Sequence, residues 1–150
     1  MRVLIAYYSK TGTTMKVVDE VSKRINSDVI KLSSKGGTLI NLMKSIFGGK
    51  VELDPVKLSP ENYDLVVLAT PVWGGNPVVQ IKTFCKDHEF KNVAFIITRS
   101  GSDLNGPLKK LTKLTKKPVA VLEFIKETIS DSETKKEKID KFVKEINELK

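Results

Sequence analysis

Four hydroxyl side chains and one glycine follow closely after the first apolar run of the chain, and together they could bind an anion. The run occupies residues 3–6, and the segment after it contains Ser9, Lys10, Thr11, Gly12, Thr13 and Thr14. Backbone N–H groups and hydroxyls in such a turn can donate to a phosphate, and a following helix adds its N-terminal dipole. Ser and Thr are also good N-caps, and Gly suits a tight turn, so a simple helix cap is the alternative interpretation.

A second segment of turn residues contains the only tryptophan of the chain. It follows an apolar run at 65–69 and consists of Thr70, Pro71, Val72, Trp73, Gly74, Gly75, Asn76 and Pro77. A tryptophan among turn residues is poorly placed for the core and well placed to stack on a flat ring. The alternative is a tryptophan folded over the sheet edge as a lid. Asn76 and Pro77 are suited to cap and begin the helix that follows.

Five apolar runs alternate with segments of helical spacing, which predicts strands alternating with helices. We place the strands at about residues 2–8, 28–32, 65–69, 93–97 and 119–122. The third and fourth runs are continuously apolar, as in strands buried on both faces of a parallel sheet, whereas the second alternates and suits an edge. The predicted fold class is α/β, a doubly wound parallel sheet with helices on both faces.

A short amphipathic segment lies between the second and third predicted strands. Its apolar residues have the spacing of one face of a helix of about three turns, ended by Gly48 and Gly49. These residues are Leu39, Leu42, Met43, Ile46 and Phe47. We expect this face to cover the core.

Doubly wound sheets bind ligands beyond the carboxyl ends of their strands, near the point where the strand order reverses. The segments after the first, third and fourth strands should therefore form one site. The last of these has turn residues but no aromatic side chain, and consists of Thr98, Arg99, Ser100, Gly101, Ser102 and Asp103. The segment at 9–14 lacks both G-x-G-x-x-G and G-x-x-x-x-G-K-[ST], so dinucleotide and nucleoside triphosphate binding lose their usual motifs.

The first two segments together resemble those of the flavodoxin family. Residues 9–14 are similar to the family's Ser/Thr-x-Thr-Gly-x-Thr loop for the phosphate of FMN, and residues 70–74 to its first loop at the isoalloxazine ring. The resemblance covers the whole chain and implies one domain, residues 1–150, with five strands in the order 2-1-3-4-5. It implies FMN as the cofactor, bound by Ser9, Lys10, Thr11, Gly12, Thr13, Thr14, Thr70, Pro71, Val72, Trp73, Gly74, Gly75, Thr98, Arg99, Ser100, Gly101 and Asp103.

The resemblance also implies what individual residues do. The phosphate would be contacted by the hydroxyls of Ser9, Thr11, Thr13 and Thr14 and by the amides of Lys10 and Gly12. Trp73 would stack on the ring. The Trp73–Gly74 peptide would turn so that its carbonyl accepts a hydrogen bond from N5–H of the reduced flavin, which in the family favours single-electron transfer.

Two features depart from the family pattern. The third segment lacks the tyrosine that members often place over the other face of the ring, and this chain is basic where members tend to be acidic. We therefore expect a ring face that is open to a substrate, and a less negative reduction potential than is usual in the family.

The charge balance indicates the kind of partner. The chain has 26 basic and 18 acidic residues, a net charge of +8. One acid-free patch contains Lys109, Lys110, Lys113, Lys116 and Lys117. No aromatic residue or arginine lies among these lysines, which disfavours nucleic acid and favours a solvated or partner-facing surface. We expect redox partner proteins with acidic surfaces, no membrane association, and a monomer or weak dimer.

The rare residues exclude several site types. A single cysteine, Cys85, cannot form an internal disulfide, and we interpret it as a small buried hydrophobe. His88 is the only histidine, so a Cys/His metal site is not expected. The apolar run near the N-terminus is too short for a signal peptide or a membrane span, which predicts a soluble cytoplasmic protein.

Three functions are compatible with these observations. The leading hypothesis is an FMN-binding electron carrier between redox partners. The alternative is a small NAD(P)H-dependent FMN oxidoreductase that acts on a quinone or another small acceptor, suggested by the uncovered ring face. The third is a flavin-free module of the same fold that binds a protein or nucleic acid through its basic surface.

Overall fold

The computed structural model describes residues 1–101, 103–126 and 129–149, so Ser102 of the third segment lies outside the described residues. The strands are β1 (Val3–Tyr7), β2 (Ser27–Lys31), β3 (Leu65–Trp73), β4 (Asn76–Pro77), β5 (Val93–Arg99) and β6 (Val121–Ile125). The helices are α1 (Thr13–Ser22), α2 (Thr38–Phe47), α3 (Val79–Asp87), α4 (Asn105–Leu114) and α5 (Ser132–Asn147), and a 3₁₀ turn spans Pro60–Asn62. None of the helices in these ranges has both the length and the apolar character needed to cross a bilayer.

Five of the strands form a parallel sheet in the order β2-β1-β3-β5-β6, and β4 pairs antiparallel with the end of β3. Without β4 in the count, this is the predicted doubly wound order, which is confirmed. In the centre, Leu68 lies opposite Ala6 of β1 and Phe95 of β5. Every residue of β5 is buried, as its continuous apolar run predicts, whereas Val29 on the edge strand β2 is exposed.

The two faces of the sheet are covered by different helices. On one face, Val18 of α1 and Phe142 of α5 pack in the same cluster as alternate residues of the strands. On the other face, Phe84 of α3 and Leu111 of α4 do the same. Each fully buried aliphatic or aromatic side chain contributes about 1.5–3 kcal/mol. Right-handed crossovers between parallel strands place helices on both faces in this way.

The segment at 70–77 is a β-hairpin, which corrects the prediction of a loop that leads into a helix. Strand β3 continues to Trp73, which pairs with Asn76 across a two-residue turn. Gly74 and Gly75 have φ values of 55° and 72°, as both central residues of a type I′ turn require. The predicted cap and start of α3 at Asn76 and Pro77 are therefore wrong. The N-cap is Val78, which has an extended backbone and no side-chain cap.

Helix α2 forms as predicted, but its predicted apolar face does not cover the core. Leu39, Met43 and Phe47 are exposed, while Asn41 and Ser45 are buried. The Ser45 hydroxyl donates to the Asn41 carbonyl oxygen at 2.8 Å and accepts from the backbone N–H at the start of α3 at 2.8 Å. These polar contacts place the polar stripe of α2 toward the protein, while Leu42 and Ile46 of the predicted face are half-buried and the rest of that face points outward.

Cys85 of α3 should not react with thiol reagents in the folded protein. Its side chain is buried, and burial raises the pKa of the thiol to about 12, so the reactive thiolate is scarce at neutral pH. We expect Ellman's reagent to label no thiol within minutes in native buffer at about pH 8, and one thiol per chain in denaturing guanidinium. Rapid labelling of the native protein would show that α3 opens or that the thiol has a lower pKa.

Candidate functional site

An open cleft lies at the carboxyl ends of the parallel strands, where the order of the sheet reverses. It brings together all three segments singled out from the sequence and adds a residue from the end of β6. The lining residues are Thr11, Thr13, Pro71, Val72, Trp73, Thr98, Arg99, Ser100 and Lys126. The rule for doubly wound sheets thus identifies the place of the cleft.

The β1–α1 segment presents an uncapped helix start to this cleft. Gly12, with φ of 90°, is the N-cap of α1, and no side chain makes a capping hydrogen bond there. Its N–H donates to Ser9 Oγ at 3.1 Å, which closes the turn. The Thr11 and Thr13 hydroxyls lie 3.4 Å apart on the cleft side. The simple helix cap is therefore not what these threonines form, and their hydroxyls face the cleft together with the positive end of α1.

Thr14 has a different environment from the other hydroxyl residues of this segment. Its side chain is buried, and its Oγ1 lies 2.7 Å from Oγ1 of Thr98 at the end of β5. This hydrogen bond joins two segments that are 84 residues apart in the chain. Thr14 thus holds the first and third segments together, and its predicted contact with a phosphate stays a prediction.

Trp73 lines the cleft from the end of β3 and is held by an aromatic neighbour. Its ring meets that of Tyr8 edge to face, with centroids 5.6 Å apart and an interplanar angle of 88°. Such a pair contributes about 0.5–1.5 kcal/mol beyond the area it buries. Burial raises the pKa of the Tyr8 phenol above its ordinary value. Trp73 therefore lies at the cleft wall with its edge-to-face contact to Tyr8 on one side and with Pro71 and Val72 beside it.

The Gly74–Gly75 turn is held from both sides by other elements. The Asn76 side-chain amide donates to the Gly74 carbonyl oxygen at 2.7 Å, and the Lys110 ammonium donates to the Asn76 side-chain oxygen and, at 3.5 Å, to the Gly75 carbonyl. On the other side, a Cβ atom placed on Gly74 would lie 2.6 Å from Ile46 Cγ1 of α2. Helices α2 and α4 thus both hold this turn.

Arg99 is the only charged residue among the buried residues described. Its Nε and Nη2 atoms donate to the two carboxylate oxygens of Glu123 on β6, at 3.2 and 3.1 Å, and its Nη1 donates to the Gly101 carbonyl oxygen. A buried guanidinium without such a partner would be strongly destabilising. Glu123 therefore offsets the charge of Arg99. Lys126 also lines the cleft, and the described contacts include no ion pair between it and a carboxylate.

The remaining predicted site residues lie around the cleft rather than in its wall. Lys10 is exposed. The buried Thr70 hydroxyl donates to the Pro71 carbonyl oxygen and accepts from the Val78 N–H, so it supports the hairpin and the start of α3. The Asp103 carboxylate accepts from the Asn105 N–H at 2.9 Å, where α4 begins. Their predicted contacts with a cofactor stay predictions.

Sequence reasoning missed five residues that shape the site: Tyr8, Ile46, Asn76 as a turn anchor, Lys110 and Lys126. Two of them carried a usable signal, because Tyr8 directly precedes the first segment and Lys126 follows the last strand of the sheet. Ile46 and Lys110 act through contacts between distant parts of the chain, and Asn76 joins the turn next to it to Lys110. Their spacing in the sequence gives no sign of these contacts.

The two halves of the cleft suit two different parts of one ligand. Hydroxyls and a helix N-terminus favour an anionic oxygen group on the α1 side. Trp73, Pro71 and Val72 offer a flat apolar wall on the β3 side. The donor chemistry therefore fits a phosphorylated molecule with a planar ring, and a flavin mononucleotide is such a molecule.

Comparison with known proteins identifies related folds. No protein-family model matches the chain, and no curated protein matches its sequence. A flavoprotein from Lactobacillus acidophilus NCFM, solved in complex with FMN, superimposes with a TM-score of 0.65 at 23% identity, covering 94% of this chain and 97% of that one. Two-electron reduced flavodoxin from Megasphaera elsdenii gives 0.60 at 14%, covering 95% and 98%. The Trp repressor binding protein from Bacillus subtilis gives 0.62 at 10%, also covering 95% and 98%.

The contact between α2 and the hairpin turn predicts different costs for alanine at the two turn glycines. Gly75→Ala should lower the free energy of unfolding by about 1–2 kcal/mol, because only its left-handed backbone is strained and no atom lies within 4 Å of the new Cβ. Gly74→Ala should cost about 1–3 kcal/mol more, because its Cβ also overlaps Ile46. Urea unfolding of both variants measures the difference.

A double variant identifies the source of that difference. Adding Ile46→Ala to Gly74→Ala should recover part of the loss, with a coupling energy of about 1 kcal/mol or more between the two sites. Equal losses for the two glycine variants, with no coupling to Ile46, would mean that α2 does not press on the turn.

Proposed function

We propose that this chain, whose fold is that of the flavodoxins, binds FMN in the cleft and carries electrons between redox partner proteins. The observation that carries the proposal is the pairing, across one cleft, of an uncapped helix start bearing Thr11 and Thr13 with the hairpin bearing Trp73. The superposition with an FMN complex of a flavoprotein supports the choice of ligand.

The phosphate of FMN would lie at the start of α1. The Thr11 and Thr13 hydroxyls would donate to it, and the first amides of α1 would add donors aligned with the helix dipole. Hydrogen bonds to a charged group contribute roughly 1.5–3 kcal/mol each. Ser9 acts one step away, because its hydroxyl accepts from the Gly12 N–H and so shapes the turn.

The flavin ring would lie along the wall formed by Trp73, Val72 and Pro71. Bound FMN supplies the redox chemistry, and the chain holds the ring and excludes water from one of its faces. The edge-to-face contact with Tyr8 favours this orientation of the Trp73 ring. Gly74 and Gly75 adopt the left-handed backbone of the turn without the steric cost of a side chain, so the backbone there can lie close to the ring.

The charges around the cleft favour the reduced form of a flavin bound there. Glu123 offsets the buried Arg99, while Lys126 at the wall and Lys10 at the rim add positive charge. Cations near a ring that gains negative charge stabilise its reduced form. We therefore expect a reduction potential above that of an acidic protein of the same fold.

One observation favours a second candidate, an FMN-dependent oxidoreductase that takes electrons from NAD(P)H. The β5 side of the cleft is lined by Thr98 and by the exposed Ser100 and carries no aromatic side chain in its described part. A ring face left open there could accept hydride from a nicotinamide. This candidate differs from the carrier in needing no partner protein for reduction.

The double variant Thr11→Ala/Thr13→Ala should distinguish phosphate binding from ring binding. We expect its dissociation constant for FMN to rise about 100-fold, because two hydroxyl contacts to a charged group are lost. Binding of riboflavin, which has no phosphate, should weaken by less than about threefold. Flavin fluorescence titration measures both constants.

Thr112→Ala, which removes a hydroxyl from α4 outside the cleft, is the matched control and should bind both flavins as the parent protein does. Equal losses for FMN and riboflavin in the double variant would show that the β1–α1 turn does not hold the phosphate. Absence of any change in flavin fluorescence with the parent protein would overturn the FMN proposal itself.

Anaerobic mixing with NADPH should separate the carrier from the oxidoreductase. We expect the absorbance of the FMN-loaded protein to bleach more slowly than about 1 s⁻¹, the lower end of ordinary enzyme turnover, while dithionite reduces it fully. Stopped-flow absorbance gives both rates. Bleaching by NADPH at an enzyme-like rate would overturn the electron-carrier function and support the oxidoreductase.

A further inference from the structure

Helix α2 exposes more apolar surface than any other element of the described chain. Seven large hydrophobic side chains are exposed among the described residues, and four of them belong to α2. We call these four the α2 apolar face: Leu39, Ile40, Met43 and Phe47, exposed by 71%, 56%, 48% and 76%. Single exposed hydrophobic residues are ordinary, but a contiguous exposed patch marks an interaction site.

The side chains on the inner side of α2 show that this exposure is built into the fold. The buried Asn41 and Ser45 lie on that side, and Ser45 bonds both to α2 and to the start of α3. The Lys82 ammonium donates to the Ser45 carbonyl oxygen at 2.6 Å from α3. A helix that only covered a core would present its apolar stripe inward. Here hydrogen bonds hold the polar stripe inward and leave the apolar face in solvent.

The last turn of α2, which carries part of the α2 apolar face, lies next to the hairpin that forms one wall of the cleft. Ile46, on the same helix, presses on Gly74 in the turn that follows Trp73. A protein bound to the α2 apolar face would therefore lie beside the wall against which the flavin ring is proposed to lie. Electron transfer requires the redox groups of the two proteins to lie close together, and this placement would bring them close. This step of the argument rests on the proposed function.

The charges around α2 identify the class of partner. Residues 29–51 contain four lysines and no acidic residue, although Asp28 and Glu52 flank the range and Lys50 is paired with Asp87 of α3. Lys44 lies in the last turn of α2 itself. A second copy of the chain would bring two net charges of +8 together. An acidic surface would be attracted instead, and that attraction accelerates encounter.

The size of the α2 apolar face indicates a transient complex. A ten-residue helix is only about 15 Å long. Stable complexes bury about 800 Å² on each partner, whereas electron-transfer complexes lie at the small end of the range. We propose that the α2 apolar face is the docking surface for an acidic redox protein, which contacts it with an apolar patch surrounded by carboxylates.

The test uses the FMN-loaded chain and a reduced acidic ferredoxin, an iron–sulfur protein, as the electron-donating probe. In the variant Met43→Ser/Phe47→Ser we expect the second-order rate of flavin reduction by ferredoxin to fall at least about tenfold. Reduction by dithionite, which needs no docking surface, should be unchanged. Val29→Ser removes an exposed hydrophobic side chain from the edge strand β2 and should leave both rates unchanged.

The outcomes separate this inference from the proposed function. Failure of the parent chain to bind FMN overturns both. FMN binding with ferredoxin reduction that is absent, or equally fast in the parent and the double variant, overturns the docking surface alone. Sedimentation that shows a dimer lost in the double variant would assign the face to a second copy. Flotation with phosphatidylglycerol vesicles, lost in the same variant, would assign it to a membrane surface. Either result would overturn the proposal that the face binds an acidic redox protein.

Discussion

The cleft depends on the parallel register of three neighbouring strands, β1, β3 and β5. Leu68 lies between Ala6 and Phe95 in this register, and the carboxyl ends of all three strands point to the edge where the segments meet. A slip of one residue in any of them would turn its side chains to the opposite face of the sheet. Burial of both faces makes such a slip costly, so the apolar core is what sets the positions of Thr11, Trp73 and Thr98 relative to one another.

Polar contacts complete what strand pairing leaves undetermined. The Thr14–Thr98 hydrogen bond ties the start of α1 to the end of β5. Asn76 and Lys110 hold the hairpin turn, and the Arg99–Glu123 pair links the ends of β5 and β6. Each of these contacts joins elements that the sheet already brings close, so each adds orientation rather than overall shape.

The sequence was sufficient to predict the sheet and the place of the cleft, because both follow from local patterns. Continuous apolar runs identify β3 and β5, and glycines and hydroxyls identify the segments after the strands. The roles of Ile46 and Lys110 could not be predicted, because they depend on contacts between distant parts of the chain. The hairpin was missed because Asn76 and Pro77 also have the residue types of a helix start, and the pairing of Asn76 with Trp73 decided between the two.

Helix α2 shows a further limit of sequence patterns. The spacing of Leu39, Met43 and Phe47 predicts that they share one side of a helix, and they do. Spacing alone does not say whether that side faces the protein or the solvent. Two hydrogen bonds from α3 hold the opposite side of α2 inward: the Val79 N–H donates to the Ser45 hydroxyl, and the Lys82 ammonium donates to the Ser45 carbonyl oxygen. Neither donor belongs to α2.

The close approach of Ile46 to Gly74 links two surfaces that would otherwise be independent. Because Ile46 fills the space beside the glycine, a rotation of the turn that moved an atom into this space would have to displace the Ile46 side chain. If α2 and the turn each took two orientations, thermodynamic reciprocity would require a molecule that favours one orientation of α2 to bias the turn by the same factor. The contact of one side chain with one glycine is the place in this fold where such a coupling would pass.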